Sequence, residues 1–272
     1  MDDRKQAVAQ VSDAVKAIRE HRPLVHNITN YVAMNSSANA LLALGASPIM
    51  AHASEELAEL SELVQALVIN IGTLSASWIA AMKLAARSAG DKGVPVVLDP
   101  VGAGASRIRT RTALELLEET PVAVLRGNAG EVKSLAGENA RSRGVDSFEA
   151  SADAIEAGTL LAERYGCIVS VSGPDDYIIS SEGALVKLSN GDAMMPRVTT
   201  LGCAASAITG AALAVTPEPR DAAAVGMALT GIAGEIAAEH AAGPGTLQVR
   251  FLDELYALTD TTIAERLRWE AA

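Results

Sequence analysis

The amino-acid sequence predicts a three-layer α/β/α fold with a mostly parallel central sheet. Short β-branched runs alternate with longer Ala-, Leu- and Glu-rich stretches of helical period. The runs are mostly apolar, as in strands covered by helices on both faces. The chain has 272 residues, 49% of them hydrophobic, which suffices for one full core. Because no internal repeat or low-complexity linker marks a boundary, we expect residues 1–272 to form a single domain.

Six strands are expected to be parallel, and two more to form a hairpin at a sheet edge around Glu182-Gly183. The parallel candidates are 23–28, 47–50, 66–71, 95–98, 122–125 and 167–171, and the hairpin strands are 177–180 and 185–188. Helices are predicted between them at 31–44, 54–64, 76–89, 107–119, 129–137 and 151–165, with Ser54 and Ser75 as N-caps. The C-terminal third is helix-rich, with candidates at 203–215, 219–241 and 246–257 between Pro and Gly breaks.

Charge and chain ends narrow the class of partner. The net charge is -11, a field that opposes nucleic acid and anionic membranes. The N-terminus has no apolar core of signal-peptide length, and we expect no membrane-spanning stretch. The sequence therefore predicts a cytoplasmic protein that binds neither nucleic acid nor membrane. Cys167 and Cys203 are too far apart for a metal-ligand motif, and we expect both to be reduced.

Polar and glycine residues follow five of the predicted strands. These clusters are 26–30, 70–73, 99–104, 126–128 and 172–176. Ligands of an open parallel sheet bind at the carboxyl ends of the strands, so the clusters are expected to converge on one rim. Any single cluster is equally well explained by the turns and caps that such a fold needs.

Two carboxylates on this rim are candidate Mg²⁺ ligands. Asp99 directly follows an apolar run and precedes Pro100, which places it at a strand tip. Mg²⁺ is usually held by one or two carboxylates together with phosphate and water oxygens, and Glu131 would be the second acid. Asn128 and Glu131 also have the spacing of a helix cap, which needs no function. Arg126, at the end of a buried strand, requires an anion, either a phosphate or an internal carboxylate.

The loop at 198–206 opens directly into an Ala-rich helix. Amide groups at a helix N-terminus can stabilise the charge on a transferring phosphoryl group. Cys203 would lie in the first helical turn, where the dipole is expected to lower the thiol pKa. Cys203 would then act as a weak base or line the substrate pocket. The alternative is a buried small residue that only fills space in the core. Cys167 lies in an apolar strand and is expected to be structural.

Two common nucleotide motifs are not present in the sequence. The run Gly102-Ala103-Gly104 lacks the third glycine of a dinucleotide fingerprint, which disfavours a dehydrogenase. No Walker A lysine motif occurs, which excludes a P-loop site.

The combined motifs resemble those of hydroxyethylthiazole kinases, which are members of the ribokinase-like superfamily. The stretches that carry the resemblance are 23–30, 44–50, 98–104, 126–128 with Glu131, and Gly202-Cys203. The resemblance implies ATP-dependent phosphorylation of the hydroxyl of 4-methyl-5-(2-hydroxyethyl)thiazole, in thiamine biosynthesis or salvage, with Mg²⁺. It also implies a homotrimer with active sites at the subunit interfaces.

The resemblance also assigns roles to individual residues. It implies substrate contacts from Met50, Asn27, Thr29 and Thr200, ATP contacts from Arg126, Ser172 and Asn128, magnesium ligands Asp99 and Glu131, and catalytic residues Cys203 and Gly202. His26, Asn27, Thr29 and Met50 are expected to face a neighbouring subunit. Cysteine at 203, where the wider superfamily carries an aspartate base, supports the narrower family. A loose phosphoryl-transfer transition state needs little base strength.

The sequence departs from the family pattern at two positions. Thr200-Leu201 replaces a Gly-x pair, and Ser172 stands where threonine is common. If position 200 requires a positive φ or a close approach of backbone to phosphate, threonine costs about 1 kcal/mol or more. This leaves two rivals open. One is a kinase for another small alcohol such as hydroxymethylpyrimidine, and the other is a non-catalytic nucleotide-binding relative.

Overall fold

A nine-stranded sheet runs through residues 2–137 and 147–272, the part of the chain that the computed structural model describes. The strands are β1 (Leu24–Ile28), β2 (Ser47–Met50), β3 (Ala66–Asn70), β4 (Val96–Asp99), β5 (Val122–Asn128), β6 (Ile168–Ser172), β7 (Asp176–Ser180), β8 (Gly183–Leu188) and β9 (Trp269–Ala271). Their spatial order is β2-β1-β3-β4-β5-β6-β7-β8-β9. The first six pair in parallel, and β7, β8 and β9 are added in antiparallel. The predicted parallel sheet with an edge hairpin is confirmed, but the hairpin is not the edge because β9 covers it.

Helices fill the connections and the C-terminal third. They are α1 (Asp2–His21), α2 (Met34–Leu44), α3 (Leu57–Leu60), α4 (Ala76–Lys92), α5 (Arg107–Glu119), α6 (Ala129–Leu135), α7 (Ser147–Tyr165), α8 (Leu201–Leu213), α9 (Pro219–Glu239), α10 (Pro244–Ala257) and α11 (Asp260–Arg266). Ser75 caps α4 as predicted, since its hydroxyl accepts the N–H of Trp78 at 3.2 Å. The helix predicted at 54–64 is wrong in length: only four residues are helical, and Glu56, not Ser54, is at its N-cap.

The helices form one layer on each face of the sheet. Alternate strand residues point to opposite sides, so that Val25, Val68 and Val97 pack with α1, α2, α8, α9 and α10. Leu67 and Leu98 pack with α4, α5, α6 and α7 on the other side. The predicted three-layer α/β/α fold is confirmed.

Helix α9 is the segment that bears on the expectation of no membrane-spanning stretch. It is long and apolar enough to cross a membrane by length and composition, with mean hydropathy 1.3. However, 78% of this apolar stretch is buried inside the protein, where it packs against α8 and α10. The helix therefore has the environment of a core helix.

Strand register brings the predicted site residues together in pairs. Asn27 lies beside Met50, Asn70 beside Asp99, and Asn128 beside Ser172. Since β1 to β6 are parallel, all of these pairs lie at the same, carboxyl edge of the sheet.

Candidate functional site

Asp99 is the deepest charged group of the rim. Only 1% of the residue is exposed, and its Oδ2 accepts hydrogen bonds from Nδ2 of Asn70 and Oγ of Ser206, both at 2.7 Å. Burial raises the pKa of this carboxyl to about 7, with a smaller contribution from the charge of Glu131. The charge of Arg126 and the two hydrogen bonds act in the opposite direction. The site thus holds a carboxylate that favours a cation beside it.

Cys203 is half-buried in the first turn of α8. Its Sγ accepts a weak hydrogen bond from Nδ2 of Asn30 at 3.5 Å. Burial, followed by the charge of Asp99, raises the pKa of this thiol. The expected lowering of the pKa by the helix dipole is therefore wrong, because desolvation outweighs it. The thiol is protonated at neutral pH and lines the site as a neutral group.

The loop before α8 is held in an unusual backbone conformation. Thr200 has φ 76° and ψ −5°, the left-handed region, which a β-branched residue rarely adopts. Threonine is expected to be costly at position 200 if the backbone there has a positive φ, and it does. The Thr200 side chain caps no amide of α8. Among the described residues, no acceptor takes the N–H groups of Gly202 and Cys203, so this helix end is open to an anion.

Arg126 closes one side of this open helix end. Its Nη1 donates to the carbonyl oxygen of Gly202 at 3.0 Å, and a Cβ at Gly202 would lie 3.0 Å from that nitrogen. A side chain at position 202 would therefore be in tight contact with the guanidinium, which would have to shift by a few tenths of an ångström. Arg126 is buried, its Nε has no hydrogen-bond partner, and no carboxylate of the described residues forms an ion pair with it. The alternative of an internal salt bridge is thus wrong for the described part of the chain.

Helix α6 begins with the capping box expected from its sequence. Oδ1 of Asn128 accepts the N–H of Glu131 at 3.0 Å, and Oε2 of Glu131 accepts the N–H of Asn128 at 2.9 Å. Oε1 of Glu131 also accepts the N–H of Gly102 at 2.8 Å. The described residues contain no group of three or more His, Cys, Asp or Glu placed for a metal ion. Asp99 and Glu131 are coupled electrostatically, since the charge of Glu131 contributes to the raised pKa of Asp99.

Residues predicted to bind substrate lie at the carboxyl ends of the neighbouring strands β1 and β2, here called the β1–β2 corner. His26 is buried with Nε2 at 2.8 Å from the carbonyl oxygen of Ala51, and burial lowers its pKa, so it is neutral. Nδ2 of Asn27 donates to the carbonyl oxygen of Val25 at 3.0 Å, while its buried Oδ1 has no partner. Thr29 is buried, and Met50 is partly exposed at the end of β2.

The turn after β6 completes the rim. Oγ of Ser172 lies 3.4 Å from the carbonyl oxygen of Gly127, and next in the turn Gly173 donates its N–H to Oδ1 of Asp176 at 3.0 Å. Burial raises the pKa of Asp176 to about 7. Asp176 was predicted only as part of a turn cluster.

Sequence reasoning gave no role to Asn30, Asn70 and Ser206, although these three side chains surround Asp99 and Cys203. The available signal was position, since Asn30 and Asn70 end strand clusters and Ser206 lies three residues after Cys203 on the same helix. A rim with a buried guanidinium, open helix amides and two acids has the parts needed to hold phosphates and a divalent cation.

Comparisons with known proteins identify the family of the chain. The model of the hydroxyethylthiazole kinase family matches residues 15–261. The hydroxyethylthiazole kinase of Syntrophus aciditrophicus is 56% identical over 256 residues, which cover 94% of each chain.

Two solved structures extend the comparison to the fold. A hydroxyethylthiazole kinase protein from Pyrococcus horikoshii has a TM-score of 0.89 at 43% identity, covering 96% of this chain and 98% of that one. A ribokinase-like superfamily protein from Enterococcus faecalis has a TM-score of 0.63 at 12% identity over 87% of each chain, which shows a shared fold alone. The chain therefore has a ribokinase-like fold and belongs to the hydroxyethylthiazole kinase family.

Proposed function

We propose that this protein transfers the γ-phosphoryl group of ATP to the hydroxyl of 4-methyl-5-(2-hydroxyethyl)thiazole, and so supplies thiazole phosphate for thiamine. The observation that carries the proposal is the position of the buried Arg126. Its guanidinium contacts the open N-terminus of α8, and its Nε has no hydrogen-bond partner among the described residues. Among the described residues, this buried cation has no ion-paired carboxylate and the first amides of the helix have no acceptor, and both features favour an anionic ligand. Family membership indicates which reaction uses that ligand.

The nucleotide is proposed to lie along the ends of β5 and β6. Arg126 and Ser172 contact its phosphates, and the exposed Asn128 borders the same site. The open amides at Gly202 and Cys203 face the charge that develops on the transferring group. Gly202 acts through its backbone and through the room it leaves for Arg126. Cys203 supplies a neutral, protonated surface beside the acceptor hydroxyl, which is sufficient where the transition state is loose.

Asp99 and Glu131 are proposed to hold Mg²⁺. The donor set fits this ion, since two carboxylates leave its other positions to phosphate and water oxygens. The raised pKa of Asp99 shows a buried carboxyl that lacks a sufficient neutralising charge, which a divalent cation would supply. Bound there, Mg²⁺ would neutralise the charge of the phosphates. Glu131 keeps its orientation through the two backbone N–H groups that it accepts.

The thiazole is proposed to lie at the β1–β2 corner, against Asn27, Thr29 and Met50, with Thr200 on the other side. The unpartnered, buried Oδ1 of Asn27 is a fixed acceptor for a polar group of the ligand. The partly exposed Met50 supplies apolar contact.

A homotrimer with active sites at its interfaces is also proposed. Strand β2 is an edge of the sheet. Exposed apolar side chains lie just before α2, on α2 and on α10: Tyr31, Val32, Leu42, Val249 and Tyr256. An uncovered edge with apolar neighbours is typical of a subunit interface. Light scattering on the purified protein tests the mass. We also propose that residues 1–272 form a single domain and that the protein is cytoplasmic.

The decisive experiment is a coupled ADP-release assay with Mg-ATP. Hydroxyethylthiazole, hydroxymethylpyrimidine and a reaction without alcohol are compared on one preparation. We expect release that depends on the thiazole. ADP release with hydroxymethylpyrimidine but not with the thiazole would show that the proposed substrate is wrong. ATP binding without ADP release in the presence of either alcohol would overturn the kinase proposal.

A further inference from the structure

A chain of buried hydrogen bonds leads from the start of α2 to Asp99. Oδ1 of Asn30 accepts the N–H groups of Val32 and Ala33, and its Nδ2 donates to Oδ1 of Asn70 at 2.8 Å. Nδ2 of Asn70 then donates to Asp99 at 2.7 Å. Asn30 is 5% exposed and Asn70 is 1% exposed. A buried amide of this kind is held in one orientation because both of its ends are bonded.

The amide of Asn70 is fixed by a second contact. Its Oδ1 also accepts the N–H of Gly72 at 3.0 Å, so the acceptor end is held by two donors. The Nδ2 end is therefore directed at the carboxylate of Asp99, in the neighbouring strand. The network ties the loop after β1, the end of β3 and the end of β4 into one unit.

Ser206 approaches Asp99 from helix α8. Its Oγ is fully buried and lies 2.7 Å from Oδ2 of Asp99, the same oxygen that Asn70 contacts. Oδ1 of Asp99 accepts no hydrogen bond from the residues that the structure describes. Two neutral donors therefore hold one carboxylate oxygen and leave the other for a ligand.

We propose that Asn70 and Ser206 are positioning residues that fix the Asp99 carboxylate with Oδ1 presented to the metal–phosphate complex. This inference rests on the proposed function of the site. Neutral donors suit the role because they orient the carboxylate without cancelling the negative charge that attracts a divalent cation. A lysine or arginine in the same place would hold Asp99 equally well but would compete with the cation.

The test uses Ser206→Ala, which removes one hydrogen bond to Oδ2 with little change in volume, and Asn70→Leu, which removes the other together with the contacts of Asn70 with Asn30 and Gly72. Ser206→Ala also removes a longer contact of 3.3 Å with the carbonyl oxygen of Gly202. Thr209→Ala is the matched control, since it removes another buried hydroxyl of α8 that donates only to the carbonyl oxygen of Ala205. ADP release is measured against Mg²⁺ concentration at fixed ATP and thiazole. A second readout is the rise in Tm that Mg²⁺ adds to that of ATP alone, which does not depend on turnover.

Ser206→Ala and Asn70→Leu are expected to raise the Mg²⁺ concentration for half-maximal rate about 10-fold to 100-fold, as for residues that orient metal ligands. They should also reduce the Mg²⁺-dependent rise in Tm, whereas Thr209→Ala changes neither. In an Asp99→Asn background, Ser206→Ala should no longer change that rise.

Two results would overturn the inference. One is an Mg²⁺ dependence of Ser206→Ala equal to that of Thr209→Ala in both readouts. The other is that Ser206→Ala changes the Mg²⁺-dependent rise in Tm by the same amount in the wild-type and Asp99→Asn backgrounds. Should Asn70→Leu fail to fold, Ser206→Ala decides alone. A wild-type protein that releases no ADP would instead overturn the proposed function, while the Tm readout would still test the positioning role.

Discussion

Helices α6 and α8 both begin at the carboxyl rim of the sheet, but their first turns are built in opposite ways. The N-terminus of α6 is closed by its own side chains, through the reciprocal hydrogen bonds of Asn128 and Glu131. The N-terminus of α8 has Thr200 in a strained conformation and no side-chain cap. The closed end is locally stable, whereas the open end keeps its amides for a ligand.

The surroundings of the two helix ends differ in the same sense. Glu131 at the α6 end is partly exposed, while Asp99, Asp176 and Arg126 near the α8 end are buried charges. Burial of unpaired charge costs stability and is retained where a ligand completes the site. The α8 end is therefore the one that leaves amide donors and buried charge for the phosphates of the proposed reaction.

The largest expected effect comes from filling the space at the open helix end. Gly202→Ala places a methyl group 3.0 Å from Nη1 of Arg126, so that the guanidinium must shift from the position in which it is proposed to contact phosphate. We expect kcat to fall about 100-fold, as for a misplaced catalytic group. Gly130→Ala in α6 is the control, because its Cβ meets only Oδ1 of Asn128, at 3.3 Å. Steady-state ADP release with equal losses in both variants would contradict the comparison.

The second effect is on stability and its pH dependence. The pKa of Asp176 is raised to about 7 in the folded state, from an ordinary value of 3.8. Between these values the folded protein holds a proton that the unfolded chain has lost, so stability falls as the pH rises from about 4 to 7. Asp176→Asn keeps the acceptor for Gly173 but removes this titration.

We therefore expect Asp176→Asn to be more stable than the wild type at pH 8, with a difference that shrinks toward pH 4. Urea unfolding at several pH values measures it. Asp99 titrates in the same range in both proteins, so only the difference between them is informative. A difference that does not change with pH would show that Asp176 is not the group responsible.

The fold was predictable from the sequence where local pattern determines structure. The apolar runs of β1 to β6 and the capping box of Asn128 and Glu131 are properties of adjacent residues. Strand β9, three residues long, forms only because α11 delivers it to the edge of β8, and no local pattern marks it.

The site was predictable as a set of strand ends but not as a network. The contact of Asn70 with Asp99 depends on β3 and β4 being neighbours, and that of Ser206 on how α8 packs. The pKa of Cys203 was predicted in the wrong direction, because its burial follows from tertiary packing and not from its place in the helix.

A smaller effect is expected from opening the closed helix end. Asn128→Ala removes the cap of α6 and should cost about 1 kcal/mol of unfolding free energy. Ser75→Ala removes the cap of α4, a hydroxyl that forms hydrogen bonds only with Ser77 and Trp78 among the described residues, at a similar cost. Only Asn128→Ala is expected to raise the KM for Mg-ATP as well, because Asn128 is a proposed ATP contact, whereas the backbone N–H groups that hold the Glu131 carboxylate remain. Denaturant melts with parallel kinetics measure both, and a raised KM in Ser75→Ala would remove the distinction.

The smallest effect is relief of the strain at the open end. Thr200→Gly allows φ 76° without a Cβ clash and should stabilise the protein by up to about 1 kcal/mol. Arg22→Gly is the matched control, since Arg22 has φ 49° after α1, at the opposite end of the sheet. Both variants are expected to raise Tm, whereas only Thr200→Gly should change kcat or the preference among alcohols, since Thr200 borders the acceptor. Unchanged kinetics in Thr200→Gly would mean that the threonine strains the backbone without shaping the pocket.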